Sequence, residues 1–195
     1  MIAIVDYDAG NIKSVTNALE RLGVEYELTA DPDIIRRAEK VILPGVGNAS
    51  AAMESLRAKG LETLIRSLRQ PVLGICVGMQ LMCRSSEEGD VKCMDIFDCD
   101  VRRFVPEPGV KVPHMGWNAL GNLGSKLFRD IPDASCVYFV HSFYAGLCQD
   151  TIATCRHGNT LFSAALKYEN FYGTQFHPEK SGAVGERILM NFIGL

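Results

Sequence analysis

The first half of the chain alternates short apolar runs with stretches of helical periodicity. The apolar runs at residues 2–5, 24–28, 40–43 and 72–75 predict buried strands. Helices are predicted at 11–22, around 34–37, at 50–69 with an interruption near Gly60, and from the end of the fourth strand to about residue 83. Strands that alternate with helices indicate a parallel sheet covered on both faces.

The rhythm changes after residue 90, where strand-like runs follow one another with little helix between them. These runs lie at 101–105, 136–141, 152–156, 162–168 and 173–176, and a closing helix is predicted at about 184–192. We expect the runs to form largely antiparallel additions to the sheet. The length of 195 residues fits one domain over 1–195, and because the chain ends just after the closing helix we expect no further fused domain.

Composition narrows the possible functions. The net charge is −3 and the basic residues are scattered, so the chain lacks the electrostatic footprint of a nucleic-acid-binding protein. The start MIAIVDYDAGN has no basic region, and no run of 18 apolar residues follows, so neither a secretory signal nor a membrane span is predicted. The seven irregularly spaced cysteines contain no C-x-x-C and predict no metal site, which favours a reducing, cytoplasmic location.

One cysteine has a setting that the other six lack. Cys76 lies in the stretch Gly74-Ile75-Cys76-Val77-Gly78, after a predicted strand and before a predicted helix. This resembles the G-x-S-x-G elbow, in which small residues leave room for a strained nucleophile. A helix N-terminus favours a thiolate, and the Val77 N–H could stabilise an oxyanion. The alternative is a buried structural cysteine in a glycine-rich turn.

A thiolate nucleophile in acyl transfer needs a proton shuttle, and His177 is the best candidate. In an extended segment residues i and i+2 point the same way, so Glu179 could hold the His177 imidazole from behind. Cys76, His177 and Glu179 would then form a Cys–His–acid triad. The alternative is a histidine at a strand end beside a solvated glutamate.

The other three histidines fit this role less well. His141 ends a predicted strand and could line the same cleft, but neither His141 nor His114 has an acid two residues away. His157 lies in a predicted turn and is expected to be exposed.

The loop Pro44-Gly45-Val46-Gly47 follows the third predicted strand. Loops at the carboxyl ends of neighbouring parallel strands line one crevice, so this loop is a second candidate oxyanion element. An ordinary turn is the alternative. The loop does not match the phosphate-binding pattern G-x-x-x-x-G-K-[ST].

Taken together, GICVGMQ at 74–80 and HPEKS at 177–181 resemble the class I (triad) glutamine amidotransferase family. More narrowly, DYDAGN (6–11), LPGVG (43–47), VPHMGWN (112–118) and YFVHSF (138–143) resemble the glutaminase subunits of imidazole glycerol phosphate synthase. The resemblance covers essentially the full length. It implies a flavodoxin-like α/β fold with a mostly parallel central sheet.

The resemblance also implies roles for individual residues. Cys76 matches the nucleophile, His177 the general base and acid, and Glu179 the acid that orients it; Gly45 and Val46 match the oxyanion loop. Residues matching glutamine-binding positions are Gln80, Glu88, Ser142 and Phe143. Residues matching positions that face the synthase subunit are Asn11, Trp117, Tyr138 and Lys180. The sequence departs from the family pattern at Val77, where leucine is also expected, and at Phe143, where tyrosine is common.

The implied reaction is hydrolysis of L-glutamine through a cysteine thioester, without a metal or organic cofactor. Ammonia would pass to a separate synthase subunit with a (β/α)8 barrel, joined in a heterodimer, which makes imidazole glycerol phosphate and an aminoimidazole carboxamide ribotide in histidine biosynthesis. We further hypothesise that the 44–47 loop rests with a carbonyl facing the oxyanion site. A triad amidotransferase serving another acceptor, a cysteine hydrolase of similar fold and a non-catalytic regulatory subunit remain alternatives.

Overall fold

The computed structural model describes residues 1–8, 10–106 and 108–195. Ala9, within the DYDAGN segment, lies outside the described residues. The strands are β1 Ile2–Val5, β2 Tyr26–Thr29, β3 Lys40–Leu43, β4 Val72–Ile75, β5 Ser85–Ser86, β6 Val91–Lys92, β7 Asp100–Arg103, β8 His114–Ala119, β9 Cys136–His141, β10 Phe143–Ala145, β11 Thr151–His157, β12 Thr160–Tyr168 and β13 Phe171–Thr174. The helices are α1 Ile12–Arg21, α2 Pro32–Arg37, α3 Ala49–Ala58, α4 Leu61–Ser67, α5 Val77–Leu81 and α6 Gly182–Ile193, and short 3₁₀ turns lie at Lys126–Phe128 and Pro178–Lys180.

A seven-stranded sheet with the order β11-β12-β13-β4-β3-β1-β2 forms the centre of the molecule. The pairs from β13 through β4, β3 and β1 to β2 are parallel, whereas β12 is antiparallel to both β13 and β11. Every residue of β1, β4 and β13 is buried. Because successive strand residues point to opposite faces, this burial means that both faces of the central strands are covered. The mostly parallel α/β fold is confirmed.

The strands in the second half of the chain are arranged differently from the predicted antiparallel additions to the main sheet. The runs predicted at 101–105 and 136–141 do form strands, but β7 lies in a four-stranded sheet (β10-β7-β5-β6) and β9 pairs with β8 in a two-stranded sheet. The run predicted at 173–176 forms β13, which is parallel to its neighbour β4. The antiparallel additions to the main sheet are therefore the pairings of β12 with β13 and β11.

The order of the strands determines where the functional loops meet. The three adjacent strands β3, β4 and β13 are in register, with Leu43 opposite Gly74 and Ile75 opposite Thr174. The residues that follow them, the 44–47 loop, Cys76 and the segment up to His177, therefore emerge at one edge of the sheet. None of the helices in the described part of the chain combines the length and hydropathy that a bilayer crossing requires.

Candidate active site

Cys76 lies in a sharp turn between β4 and α5. Its φ of 54° and ψ of −110° place it in a backbone region that a non-glycine residue adopts only under strain. The Cys76 N–H donates to the Thr174 carbonyl over 2.8 Å, which ties the turn to β13. A Cβ at Gly74 would lie 2.7 Å from the Gly78 carbonyl oxygen, and one at Gly78 would collide with the Leu43 carbonyl. The two glycines are thus required by close backbone approach, as the elbow pattern predicts.

His177 and Glu179 form a buried pair beside this turn. His177 Nδ1 lies 2.7 Å from Glu179 Oε1, and the side chains are 1% and 0% exposed. The pairing is as predicted, but its geometry is different: Glu179 reaches the ring from the 3₁₀ turn Pro178–Lys180 rather than from an extended segment. The His177 N–H donates to the Tyr138 carbonyl over 2.9 Å, and the Ser181 hydroxyl donates to the His177 carbonyl over 2.6 Å.

The electrostatics of His177 favour its protonated form. Burial on its own lowers the pKa of the His177 imidazole, but the neighbouring Cys76 sulfur and the Glu179 carboxylate outweigh burial and raise this pKa to about 9. Nε2 of His177 is buried and has no hydrogen-bond partner among the described residues. This nitrogen is therefore available to exchange a proton with a substrate or with the thiol.

Asn11 contributes to the triad, which the sequence did not predict. Its Nδ2 donates to Glu179 Oε1 over 2.7 Å, so this one carboxylate oxygen bonds both Asn11 and His177. Asn11 has a φ of 64°, a left-handed conformation that asparagine tolerates better than most residues. Its side chain is half-buried. The role matched by resemblance, contact with a partner, stays a prediction.

The 44–47 loop packs directly against the elbow. The Val77 N–H, the predicted oxyanion donor, is bonded to the Gly45 carbonyl oxygen at 3.3 Å. The Tyr7 hydroxyl donates to the Pro44 carbonyl over 2.6 Å and holds the loop from the other side. A Cβ at Gly45 would lie 2.5 Å from the Gly78 nitrogen, so only glycine permits this approach. The hypothesis of a resting loop with its carbonyl at the oxyanion site agrees with this geometry.

A cavity of about 320 Å³ opens at the Cys76 thiol. The predicted glutamine-binding residues all line it, together with part of the loop and strand β9: Val46, Gly47, Cys76, Val77, Gln80, Glu88, Pro113, Val140, His141, Ser142 and Phe143. Its size is within the range of small-molecule sites. Glu88 Oε2 accepts from the Ala49 N–H at the start of α3, and burial raises the pKa of the Glu88 carboxyl.

Gln175 is a residue of the site that the sequence analysis missed. It is fully buried, and its Nε2 lies 3.8 Å from Cys76 Sγ as a hydrogen-bond donor. Its Oε1 accepts from Gln80 Nε2 over 2.9 Å, so Gln80 orients Gln175 toward the sulfur. The signal in the sequence was a glutamine inside an otherwise apolar strand end, because such a residue is rarely buried without a partner.

The other residues matched to a partner surface lie together outside the cavity. Trp117 on β8 is 58% exposed, and its ring contacts that of Tyr138 on β9 with centroids 6.1 Å apart. Lys180 is exposed on the adjacent 3₁₀ turn. Met115, which the sequence analysis did not single out, is 61% exposed on the same side of β8 as Trp117.

Residues 1–8, 10–106 and 108–195 contain no group of three His, Cys, Asp or Glu side chains arranged to hold a metal ion. All seven cysteines are free thiols. The strained Cys76 turn, the buried His177–Glu179 pair and the unpartnered His177 Nε2 suit attack by Cys76 with proton transfer through His177.

Comparison with known proteins gives concordant matches. A family profile described as "Glutamine amidotransferase class-I" matches residues 3–194. The "Imidazole glycerol phosphate synthase subunit HisH" of Bacteroides thetaiotaomicron is 58% identical over 195 residues, covering 100% of this chain and 99% of its own length. The protein of the same description from Yersinia pseudotuberculosis is 45% identical over 194 residues, covering 98% of each chain.

Solved structures match the fold at lower identity. A protein from Thermoplasma acidophilum, described as one subunit of a GMP synthase, has a TM-score of 0.75 at 23% identity and covers 99% of this chain and 92% of its own. A glutamine amidotransferase has a TM-score of 0.74 at 17% identity, with 100% and 98% covered. These neighbours show the fold of the chain.

Proposed function

The chain belongs to the class-I glutamine amidotransferase family, with HisH subunits of imidazole glycerol phosphate synthase among its relatives, and from this membership we propose how its site works. The chain is the glutamine amidotransferase subunit of that synthase, an enzyme of histidine biosynthesis. Its reaction is hydrolysis of L-glutamine to glutamate and ammonia, with residues 1–195 acting as one glutaminase domain. The observation that carries the mechanism is the buried His177–Glu179 pair, 2.7 Å apart, beside a strained Cys76.

In the first half-reaction the Cys76 thiolate attacks the carboxamide carbon of glutamine. A carbon–sulfur bond forms, and the carbonyl oxygen takes up negative charge. The His177 imidazolium then gives its proton to the departing nitrogen, the carbon–nitrogen bond breaks, and ammonia leaves a γ-glutamyl thioester on Cys76. The raised pKa of His177, about 9, keeps this proton available near neutral pH.

In the second half-reaction His177 acts as a base. It accepts a proton from a water molecule that attacks the thioester carbon, the carbon–sulfur bond breaks, and glutamate leaves with the thiolate restored. Glu179 holds the ring orientation throughout by accepting from Nδ1, and Asn11 holds Glu179. Gln80, Glu88, Ser142 and Phe143 line the cavity, which supports a role for them in binding the amino-acid end of glutamine.

The resting loop supplies a physical reason for control by a partner. The Val77 N–H is bonded to the Gly45 carbonyl, so this donor cannot serve an oxyanion. A flip of the Gly45–Val46 peptide would remove the carbonyl and present the Val46 N–H instead. One oxyanion donor is worth about 3 kcal/mol of transition-state stabilisation, which corresponds to a rate factor of about a hundred.

The proposed partner is the (β/α)8-barrel synthase, which joins this chain in a cytoplasmic heterodimer and receives the ammonia directly. Exposed Trp117 and half-buried Tyr138 lie beside the turn that carries Glu179 and the exposed Lys180, and this group supports docking at this side of the site. Binding there would place the barrel close to both the triad and the loop.

The test is a glutaminase assay of the chain alone and with its synthase partner and the nucleotide ligand of that partner. We expect activity to rise by about a hundredfold or more in the complex, and Cys76→Ala to abolish it. Equal activity with and without the partner would refute the gating by the loop. An active Cys76→Ala variant would refute the thioester mechanism.

A further inference from the structure

Two buried histidines beside the cavity have no part in the chemistry above. His114 and His141 lie opposite each other on β8 and β9 and are 4% and 6% exposed. His114 Nδ1 is 3.0 Å from His141 Nε2, and His141 Nδ1 is 2.8 Å from the carbonyl oxygen of Phe143. At the far end, Asn118 Nδ2 is 3.1 Å from His114 Nε2. The four groups form one continuous hydrogen-bonded chain.

The groups at the two ends of this hydrogen-bonded series, the Phe143 carbonyl and the Asn118 amide, determine which histidine nitrogens carry protons. The Phe143 carbonyl can only accept, so His141 donates from Nδ1 and, when neutral, accepts at Nε2. His114 must then donate from Nδ1 and accept at Nε2, and the Asn118 amide is a suitable donor there. Asn118 also donates to the Arg156 carbonyl over 2.9 Å, which fixes its orientation. Every donor in the chain meets an acceptor only while both histidines are neutral.

Burial keeps them neutral. Burial lowers the pKa of His141 to about 3 and the pKa of His114 to about 4. The neighbouring His157 lowers both pKa values further, and its ring stacks on that of His114 with the centroids 4.2 Å apart. Charge on His177 also acts against protonation of His141.

The Phe143 carbonyl connects this series of hydrogen bonds to the cavity at Cys76. It accepts from His141 Nδ1 and also from Gln80 Nε2 at 2.9 Å, so its two lone pairs have two directed donors. Gln80 in turn bonds Gln175, which contacts the Cys76 sulfur. The position of this one carbonyl therefore depends on strand β8 through the histidines and on the elbow through the two glutamines.

We propose that His141, oriented by His114, is a positioning residue that holds the Ser142-Phe143 segment in place to bind glutamine. This inference rests on the proposed glutaminase function and adds residues to it. His141 and Gln80 both bond the Phe143 carbonyl, while the triad bonds of His177 do not involve His141. Loss of the His141 donor should therefore weaken glutamine binding and leave the chemical step largely intact.

The test compares His141→Gln with His141→Asn in the complex with the synthase partner, using L-glutamine as substrate. Asparagine places an amide nitrogen near the position of Nδ1 and can still donate to Phe143, whereas the longer glutamine side chain cannot do so from that position. We expect KM to rise about tenfold for His141→Gln and less than about threefold for His141→Asn, with kcat within about twofold in both. His114→Phe, which removes the donor to Nε2, should raise KM without adding to the effect of His141→Gln.

His157→Phe is the matched control, because it preserves a ring stacked on His114 and lies outside the hydrogen-bonded chain. Its KM should equal that of the wild type. A wild-type KM in His141→Gln, an equal rise in His157→Phe, or a fall in kcat alone would overturn the inference. If His141→Gln does not fold, a wild-type KM in His114→Phe overturns it. A wild-type complex that hydrolyses no glutamine would instead refute the proposed function, and this inference with it.

Discussion

At the scale of single residues, the triad could be predicted from the sequence, whereas the residues that hydrogen-bond to it could not. Cys76 is recognisable from its flanking glycines, and His177 and Glu179 from their spacing, because each signal lies within a few residues. Asn11 and Gln175 support the same groups through bonds to Glu179 and Cys76, which lie 168 and 99 positions away in the chain. A polar residue in an apolar strand end marks Gln175 as buried and partnered, but no local pattern says which distant group either side chain contacts.

Asn11→Gly tests the support of Glu179. Glycine tolerates the left-handed backbone at this position and removes only the amide, so the folded state should be retained. A hydrogen bond to a charged group contributes roughly 1.5–3 kcal/mol, and we expect kcat of the saturated complex to fall about tenfold as Glu179 loses this partner. Steady-state kinetics with excess synthase partner separates this effect from weaker partner binding.

Asn11→Asp provides the comparison for that variant. It places a carboxylate against Glu179 and should lower kcat further than glycine does, because two like charges would share one buried site. If Asn11→Gly retains the wild-type kcat, the hydrogen bond to Glu179 has no role in the reaction.

At the scale of secondary structure, apolar runs predicted the central strands well, and β1, β3, β4 and β9 have the predicted bounds. These strands are buried on one or both faces, so their apolar residues are recognisable in the sequence. Strand β8 escaped prediction because its pattern is inverted: His114 is buried, whereas Met115 and Trp117 are exposed. The membership of β7 and β9 in separate small sheets was also missed, because pairing depends on which edges meet and not on local sequence.

Gly78→Ala tests the close packing of the elbow against β3. The added methyl would collide with the Leu43 carbonyl, a backbone atom that cannot turn aside. We expect a loss of unfolding free energy of about 1–3 kcal/mol, together with a loss of glutaminase activity, because the strain displaces the turn at Cys76. Urea unfolding and the assay of the complex measure the two effects.

Gly124→Ala is the control for that substitution, because the nearest atom to its added methyl, the Ile152 carbonyl oxygen, is 3.8 Å away in ordinary van der Waals contact. It should leave both stability and activity close to wild type. Similar behaviour of the two variants would mean that the packing of the elbow does not constrain the site.

At the scale of the whole molecule, the small sheet β8-β9 carries the hydrogen-bonded chain on one face and exposed apolar side chains on the other. Its inward residues include His114, His141 and Asn118, which form the hydrogen-bonded chain, and its outward residues include Met115 and Trp117. A large exposed aromatic side chain beside a second apolar one is typical of a protein–protein contact. A partner bound there would contact the strand whose other face supports the glutamine site.

Trp117→Ala is the corresponding test of partner binding. Truncation of an aromatic anchor at an interface costs about 2 kcal/mol or more, so we expect Kd for the synthase partner to rise about thirtyfold in calorimetric titrations. Tyr168→Ala is the matched control, because Tyr168 is also exposed, at 44%, but lies at the other end of the sheet from the site. It pairs with Phe171 at the start of β13, whereas the site follows the end of that strand at Thr174. Its Kd should be unchanged. An unchanged Kd in Trp117→Ala, or an equal rise in both variants, would place the partner elsewhere on the surface.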